Sequence, residues 1–170
     1  MLNINMGNDN LEIKTIDKNS FKNIYSIYSA SDFKYATGVF ESMEYARFMD
    51  EISRFIQKKD VFFLDICLPQ GEPIGLIKGS VIEKNRLLWI NSLVINTPYQ
   101  KKGYGRMATL LLESFFKQKY LVEKIYLSVF KSNKAGMDFW SECGYEFCDG
   151  LPGMGAGNIG EFAQIMRKLL

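Results

Sequence analysis

The 170-residue chain contains no histidine. Histidine is the base of serine–histidine triads, a frequent general base near neutral pH and the commonest protein ligand of catalytic zinc. Its absence excludes those triads, histidine general bases and most catalytic zinc sites. We therefore predict no metal centre.

The sequence also shows no sign of a disulfide framework or of a targeting segment. The three cysteines, Cys67, Cys143 and Cys148, form no C-x-x-C pair, and their odd number argues against a disulfide framework. We interpret them as buried or incidental thiols in a reducing compartment, which predicts a cytoplasmic protein. Residues 1–10 are polar without an apolar core, so no secretory signal is expected. No apolar run approaches the length of a membrane span, so no membrane partner is expected either.

The chain has no large excess of basic charge. Its formal net charge is +2, and the basic residues are mixed with acidic ones, which does not favour a nucleic-acid partner. With 47% hydrophobic and 24% charged residues, the composition is that of a soluble protein with a sizeable core. We expect one domain over residues 1–170, with residues 1–10 loosely ordered.

Strand-like and helix-like patterns alternate along the chain without a repeat or a long linker. Strand patterns occupy residues 11–16, 61–68, 74–83, 87–95, 124–130, 145–149 and 161–169. One helix pattern follows Asp17, and two more span residues 41–57 and 104–118. A fourth begins at Ser132 or Asn133 and ends at Gly144. The glycine-rich residues 150–160 are interpreted as a flexible loop that could line an acceptor site.

The stretch Gln100-Lys101-Lys102-Gly103-Tyr104-Gly105-Arg106 has the composition of an anion site. An apolar strand pattern at residues 87–95 leads into it, and a strongly periodic helix leaves it. Glycines let the backbone approach a ligand, and a helix start offers unpaired N–H groups and the positive end of its dipole. With the added cationic side chains, a diphosphate is a natural guest. The alternative is a structural turn with a solvated basic edge.

Spacing separates the ligand classes that use such turns. The segment from Gly103 to Ala108 fits the dinucleotide fingerprint G-x-G-x-x-A, but a seven-residue connector separates it from its strand. The next strand pattern also runs into Lys131 and Ser132 instead of ending in an acidic residue. A P-loop would need G-x-x-x-x-G-K-[S/T], which the turn does not contain.

What remains, Q-x-x-G-x-G after a strand and a proline-containing connector, resembles the pyrophosphate-binding motif of the GNAT-type N-acetyltransferase superfamily. A second motif of that superfamily, N-x-x-A-x-x-[hydrophobic]-Y-x-x-x-G-F, has similar residues downstream. These are Asn133, Gly136, Phe139, Trp140, Gly144 and Tyr145. Together the two motifs span residues 87–145.

The resemblance implies an α/β (α+β) fold. We expect a mixed, mostly antiparallel central sheet of about six or seven strands, flanked by about four helices. In the middle of the sheet, a parallel pair of strands would splay apart, and the pantetheine arm of acetyl coenzyme A would enter the gap. The expected cofactor is thus acetyl-CoA, as a co-substrate.

The resemblance also implies a set of site residues. The pantetheine arm would be held by backbone groups of Leu93 and Ile95. Asn133 matches a residue that approaches the cofactor, although a role as helix N-cap fits it equally well. The positions matching the diphosphate turn are Gln100, Lys101, Lys102, Gly103, Tyr104, Gly105 and Arg106.

The implied chemistry is direct attack of an amine on the acetyl thioester, with a backbone N–H near Leu93 as donor to the oxyanion. Trp140 stands where many members of the superfamily have a tyrosine that protonates the departing sulfur. An indole N–H is too weakly acidic for that task. Tyr126, Tyr145 or a water would then serve, or the thiolate leaves unassisted, at a cost of about 10²-fold or more.

A general base is not evident from the sequence. Trp89 occupies the strand position where the superfamily often has a carboxylate, with Asn91 and Ser92 nearby to hold water. The amine would then lose its proton to another group or to bulk solvent.

Two functional classes remain open. The first is an N-acetyltransferase acting on a small-molecule amine or a protein amino group, with a homodimer as an open alternative because many relatives dimerise. The second is an acyl-CoA-binding or regulatory module with little turnover. A dinucleotide-dependent enzyme is a remote third class. An aromatic, mildly acidic acceptor pocket is suggested by Tyr28, Phe33, Tyr35, Phe40, Glu41 and Glu44. The alternative is that the aromatic rings belong to the core and that the two glutamates form a solvated helix start.

Overall fold

The computed structural model of the chain describes residues 1–149 and 162–170. Eight strands appear in this part of the chain. They are β1 (Asn5–Gly7), β2 (Glu12–Thr15), β3 (Val61–Cys67), β4 (Pro73–Ile82), β5 (Leu87–Ile95), β6 (Lys124–Phe130), β7 (Glu146–Cys148) and β8 (Ala163–Leu169). The α-helices are α1 (Phe21–Ser29), α2 (Lys34–Thr37), α3 (Tyr45–Ile56), α4 (Tyr104–Tyr120) and α5 (Lys134–Glu142). Short 3₁₀ turns occur at Ser31–Phe33, Glu83–Asn85 and Thr97–Tyr99.

All eight strands form one sheet in the order β1-β2-β3-β4-β5-β6-β8-β7. Neighbouring strands are antiparallel except β5 and β6, which are parallel and lie in the centre of the sheet. Helix α4 connects this parallel pair, as expected for a crossover between parallel strands. The mixed, mostly antiparallel α/β fold predicted from the sequence is therefore confirmed, with slightly more strands than expected.

The sheet is covered by helices on both faces. On one face, α4 and α5 pack on side chains of β3 to β6, including Leu64, Ile90 and Leu127. On the other face, α1 and α3 pack on Phe63 and Val94. The apolar character of β5 follows from this arrangement, because a central strand between two helical layers buries both of its faces.

The beginning of the chain differs from the sequence prediction. Residues 5–7 form the edge strand β1, which pairs with β2, and Ile4 is almost fully buried. The side chain of Asn8 accepts hydrogen bonds from the backbone N–H groups of Asn10 and Leu11, which closes the turn between the two strands. The expectation of loose order for residues 1–10 was wrong because this short strand gains its order from pairing with β2.

The glycine-rich loop predicted at residues 150–160 lies outside the described residues. In the part of the chain that the structure describes, no helix combines the length and apolarity needed to cross a membrane.

Candidate active site

The central parallel strands part halfway along their length. Pairing between β5 and β6 ends at Ile90 and Leu127, although both strands continue beyond these residues. At the same point β5 contains a bulge: Ser92 pairs with Lys78 and Ile90 with Gly79, leaving Asn91 as an extra residue. A bulge bends its strand and increases the local twist. The bulge thus lies where the two strands open a gap in the sheet.

A cavity of about 620 Å³ fills this gap and extends to both faces of the sheet. On the face covered by α4 and α5 it is lined by the basic turn before α4 and by Phe139 and Trp140 of α5. On the opposite face it reaches Tyr35 and Ala36 of α2. We call these the turn end and the α2 end of the cavity. A ligand entering at one end can meet a second ligand entering at the other.

The turn end has the geometry of an anion site. Lys101 and Gly103 adopt left-handed backbone conformations, with φ angles of 58° and 85°, which direct the chain into the first turn of α4 at Tyr104. The first intrahelical bond at this end runs from the N–H of Met107 to the carbonyl of Gly103. The preceding N–H groups are free of intrahelical partners and are available to an anion.

The two glycines of this turn have different roles. At position 103 the left-handed backbone favours glycine. Packing is not the reason, because a Cβ there would meet no atom within 4 Å. At Gly105 the reason is close packing, because a Cβ would lie 3.1 Å from the ring of Phe139 in α5. The sequence suggested backbone access for both, and the structure adds the contact between α4 and α5.

Cationic side chains around the turn are not neutralised by the protein. Among the described residues, no carboxylate lies within ion-pair distance of Lys101, Lys102 or Arg106, although five other ion pairs are present. Lys101 and Arg106 line the cavity directly. An anionic group entering the turn end would therefore supply the missing partners.

Gln100 and the ends of β5 also fit the predicted cofactor contacts. The side-chain amide of Gln100 donates to the carbonyl of Ile95 over 2.8 Å, which anchors the turn to the strand. The N–H of Asn96 donates to Ile74 in β4. Because backbone groups alternate in direction along a strand, those of Leu93 and Ile95 face away from β4, toward the gap. Backbone groups of β5 are thus oriented toward a ligand between the strands.

Asn133 lines the cavity and also caps α5. Its Oδ1 atom accepts a hydrogen bond from the N–H of Gly136 over 3.0 Å, in the manner of a helix N-cap. A Cβ at position 136 would lie 2.5 Å from Nδ2 of Asn133. Glycine at this position thus makes room for the capping side chain, which fixes the amide at the cavity wall.

Trp140 is both a cavity residue and a core residue. Its side chain lines the cavity but is only 8% exposed. The indole packs edge-on against Phe139 and Tyr145, with ring centroids 5.0 and 4.9 Å apart. Its orientation in the wall therefore depends on these two rings.

Neither of the two tyrosines considered as proton donors lines the cavity in the described part of the chain. Tyr145 is buried, and its hydroxyl donates to Glu113 over 3.0 Å. Burial, together with the negative charge of Glu113, raises the pKa of Tyr145 far above its ordinary value. Tyr126 is buried in a separate cluster with Leu87 and Ile165. Their positions do not support a role in proton transfer.

The aromatic residues expected near an acceptor separate into two groups. Tyr28 and Phe33 pack in the core beneath α1 and α3, and burial raises the pKa of Tyr28 to about 12. Tyr35 lines the cavity and contacts Phe40. Glu41 and Glu44 are exposed, and neither is among the described residues that line the cavity.

Sequence reasoning missed several residues of the cavity. At the α2 end these are Ala36 and Ser128, and at the turn end Asp138 and Glu142 of α5. For Ser128, a usable signal was a serine within the apolar run of residues 125–130 of β6. Ala36 had no such signal, because the segment of α2 is short and irregular in sequence.

Comparison with known proteins places these features in a family. The Acetyltransferase (GNAT) family matches residues 21–145 of the chain. The spermine/spermidine N(1)-acetyltransferase of Bacillus subtilis is 30% identical over 64 residues, which are 38% of this chain. The chain spans 42% of the length of that relative.

Solved structures share the whole fold at low sequence identity. Spermidine N-acetyltransferase from Vibrio cholerae, in complex with CoA and spermine, is 16% identical with a TM-score of 0.77 and covers 95% of this chain and 96% of its own. A dodecameric structure of spermidine N-acetyltransferase from the same organism is 17% identical, with a TM-score of 0.69 and coverage of 96% and 94%. At such identities the likeness is one of fold. Since the family match covers most of the chain, this protein belongs to the Acetyltransferase (GNAT) family.

Proposed function

We propose that the protein is an N-acetyltransferase that transfers the acetyl group of acetyl-CoA to an amine by direct attack in a ternary complex. The observation that carries this proposal is the cavity through the splayed strands. It has an unneutralised basic turn at one end and a separate opening beneath α2 at the other. Two substrates can thus meet within the sheet without a covalent enzyme intermediate.

The coenzyme would enter at the turn end. Its diphosphate would be held by the backbone N–H groups between Gly103 and Arg106 and by the charges of Lys101, Lys102 and Arg106. The pantetheine arm would run between the strands, alongside the backbone groups of Leu93 and Ile95. This arrangement is supported by the family match and by the CoA bound in the structure of the Vibrio cholerae relative.

The amine would attack the thioester carbonyl where β5 and β6 part. The developing oxyanion would be stabilised by the backbone N–H near Leu93. The C–S bond then breaks, and the nitrogen loses a proton as the amide forms. Where the strands part, the polar residues that line the cavity are the neutral Asn91, Ser92 and Ser128. We assign them to holding water that carries the proton away. Trp140 would shape the wall beside the sulfur without donating a proton.

The acceptor is proposed to be a small molecule. Helix α2 contacts both β5 and β6, and its residues Tyr35 and Ala36 line the α2 end, which limits the room there for a peptide chain. The curated relatives are named as acetyltransferases of spermine and spermidine, which are small amines. We also propose self-association, which the dodecameric relative supports. A cytoplasmic location is proposed too, which the odd number of cysteines and the lack of a C-x-x-C pair support.

The test is a calorimetric titration of the protein with acetyl-CoA, with NAD and ATP as controls, followed by measurement of thiol release on adding amines. We expect binding of acetyl-CoA alone and amine-dependent thiol release. Binding without release by any amine would favour an acyl-CoA-binding module. No binding of acetyl-CoA would mean that the turn is purely structural and would remove the proposal.

A further inference from the structure

Three aromatic rings form a cluster at the α2 end of the cavity. Tyr35 of α2 lines the cavity, and Phe130 is the last residue of β6. Phe40 follows α2 and lies 5.7 Å from Tyr35 and 5.2 Å from Phe130, both in edge-to-face geometry. Tyr35 and Phe130 are 5.9 Å apart. We call these three residues the α2 ring cluster.

Core packing does not account for this cluster. Its three members belong to none of the hydrophobic core groups found among the described residues. Phe40 is 54% exposed, although aromatic side chains are usually buried. Of the three rings, Tyr35 lines the cavity, and the exposed ring of Phe40, which packs against Tyr35, extends this apolar surface beyond the lining.

Charge at the α2 end is also distinctive. The polar lining residues there, Asn91, Ser92 and Ser128, are neutral, and the acidic lining residues of the described chain lie on α5 at the turn end. In addition, the ammonium of Lys34 lies 5.2 Å from the ring centroid of Tyr35. A second or third ammonium of a polyamine would meet no carboxylate in this lining and would lie near a like charge.

From these observations we infer that the acceptor is an arylalkyl monoamine, a primary amine linked by a carbon chain to an aromatic ring. Its ring contacts the α2 ring cluster, and its amine reaches the gap between β5 and β6. The inference rests on the proposed acetyl transfer. The neutral amine nitrogen bonds to the thioester carbonyl carbon, the C–S bond breaks, and a proton leaves the nitrogen. The products are an N-acetyl arylalkylamine and the coenzyme thiol.

The experiment measures kcat/KM from thiol release at saturating acetyl-CoA for three acceptors. 2-Phenylethylamine carries the ring, n-hexylamine has a chain of similar size without a ring, and spermidine carries several charges. An aromatic pair contributes about 0.5–1.5 kcal/mol beyond area burial, so we expect kcat/KM for phenylethylamine to exceed that for hexylamine by about 2- to 13-fold. We expect kcat/KM for phenylethylamine to exceed that for spermidine by a larger factor.

Variants connect this preference to the cluster. Phe40→Ala should lower kcat/KM for phenylethylamine by about 5-fold, with little change for hexylamine or for acetyl-CoA affinity. Lys34→Gln should raise kcat/KM for spermidine more than for phenylethylamine. The matched control is Phe147→Ala, which removes a ring that is 51% exposed on the edge strand β7 and is not among the described cavity residues. This change should leave all three acceptors unaffected.

The outcomes separate this inference from the proposed function. Preference for spermidine, or an equal loss for every acceptor in Phe40→Ala, would overturn the acceptor class while leaving acetyl transfer in place. If acetyl-CoA fails to bind, both proposals are wrong. If acetyl-CoA binds but no amine reacts, phenylethylamine is titrated into the acetyl-CoA complex. If phenylethylamine binds, and binds more weakly to the Phe40→Ala variant, the acceptor class is supported. If phenylethylamine does not bind, the acceptor class is overturned.

Discussion

The hydroxyl of Tyr145 donates a hydrogen bond to Oε1 of Glu113, and both residues are buried. The ammonium of Lys168 in β8 donates to the other oxygen of Glu113 over 2.7 Å and to the carbonyl of Cys143 over 2.9 Å. This network joins α4 to β8 and to the segment between α5 and β7. The ring of Tyr145 in turn supports Trp140 in the cavity wall.

Tyr145→Phe tests whether this tyrosine is structural. We expect the free energy of unfolding to fall by about 1–3 kcal/mol, because Glu113 loses a buried donor. Turnover should stay within about twofold of the wild type, since an unassisted leaving group already sets the rate. Urea unfolding and thiol release give the two values. As a control, Arg47→Ala removes an exposed ion pair and should cost under about 1 kcal/mol. A loss of turnover of about 10²-fold would instead identify Tyr145 as the proton donor.

Gly105→Glu should abolish acetyl-CoA binding, because it directs a carboxylate toward the place proposed for the diphosphate. Gly105→Gln is the matched control, since it adds nearly the same volume without the charge. Both side chains begin 3.1 Å from the ring of Phe139, so α5 must yield slightly in each variant. Calorimetry should show that Gly105→Gln binds acetyl-CoA more weakly than the wild type and that Gly105→Glu does not bind it. Unchanged affinity in both variants would show that the diphosphate lies elsewhere.

Trp140→Tyr and Trp140→Phe separate packing from proton donation. Both replace a buried indole by a smaller ring, and each should cost about 1–3 kcal/mol of stability through the space left behind. Only tyrosine supplies a hydroxyl beside the position proposed for the sulfur. If turnover is higher in Trp140→Tyr than in Trp140→Phe at equal acetyl-CoA affinity, the coenzyme thiolate leaves the wild-type enzyme without a proton donor. Equal turnover in both would show that the hydroxyl cannot reach the sulfur.

Asn133→Asp and Asn133→Ala distinguish the capping role of this residue from a role in coenzyme binding. Aspartate can still accept the hydrogen bond from Gly136, so its stability should stay near that of the wild type. Alanine should lose about 0.5–2 kcal/mol with the N-cap. If Asn133 approaches the coenzyme, aspartate should weaken acetyl-CoA binding more than alanine does. Similar affinities for the two variants would leave Asn133 with only the capping role.

Asp65 gives stability a predicted dependence on pH. Burial raises the pKa of its carboxyl above the ordinary value of 3.8, and the hydrogen bond from Ser20 offsets this only in part. The folded protein then holds this proton more tightly than the unfolded chain. The ionised carboxyl therefore costs stability above its folded pKa, and the cost disappears as the pH falls through that value toward 3.8.

Asp65→Asn keeps an acceptor for Ser20 and removes the charge. We expect a higher free energy of unfolding at pH 7, with a gain that shrinks as the pH is lowered toward 4, measured by urea unfolding at each pH. The exposed Asp32→Asn is the control and should change stability by less than about 0.5 kcal/mol at pH 7. A lower stability of Asp65→Asn at pH 7 would mean that the carboxylate is net stabilising.

Local patterns in the sequence were sufficient for most individual elements. Strands β5 and β6 were predicted with the bounds that the structure has, because long apolar runs with alternation are strong signals. Strand β1 was missed because it is three residues long and is ordered only by its partner β2. Helix α3 begins at Tyr45 rather than near Glu41, since helix starts are defined by local capping that a hydrophobic stripe does not specify.

By itself, then, the sequence determined the layered α/β fold, the family and the basic turn before α4, since periodicity, glycine and charge are local properties. The tertiary structure decided which residues meet. The bulge at Asn91 lies where β5 and β6 open, and α2 brings Tyr35 and Phe40 to β6. The structure also turned the hydroxyl of Tyr145 toward Glu113. Such contacts join residues far apart in the chain, and their geometry depends on packing and burial, which no single segment encodes.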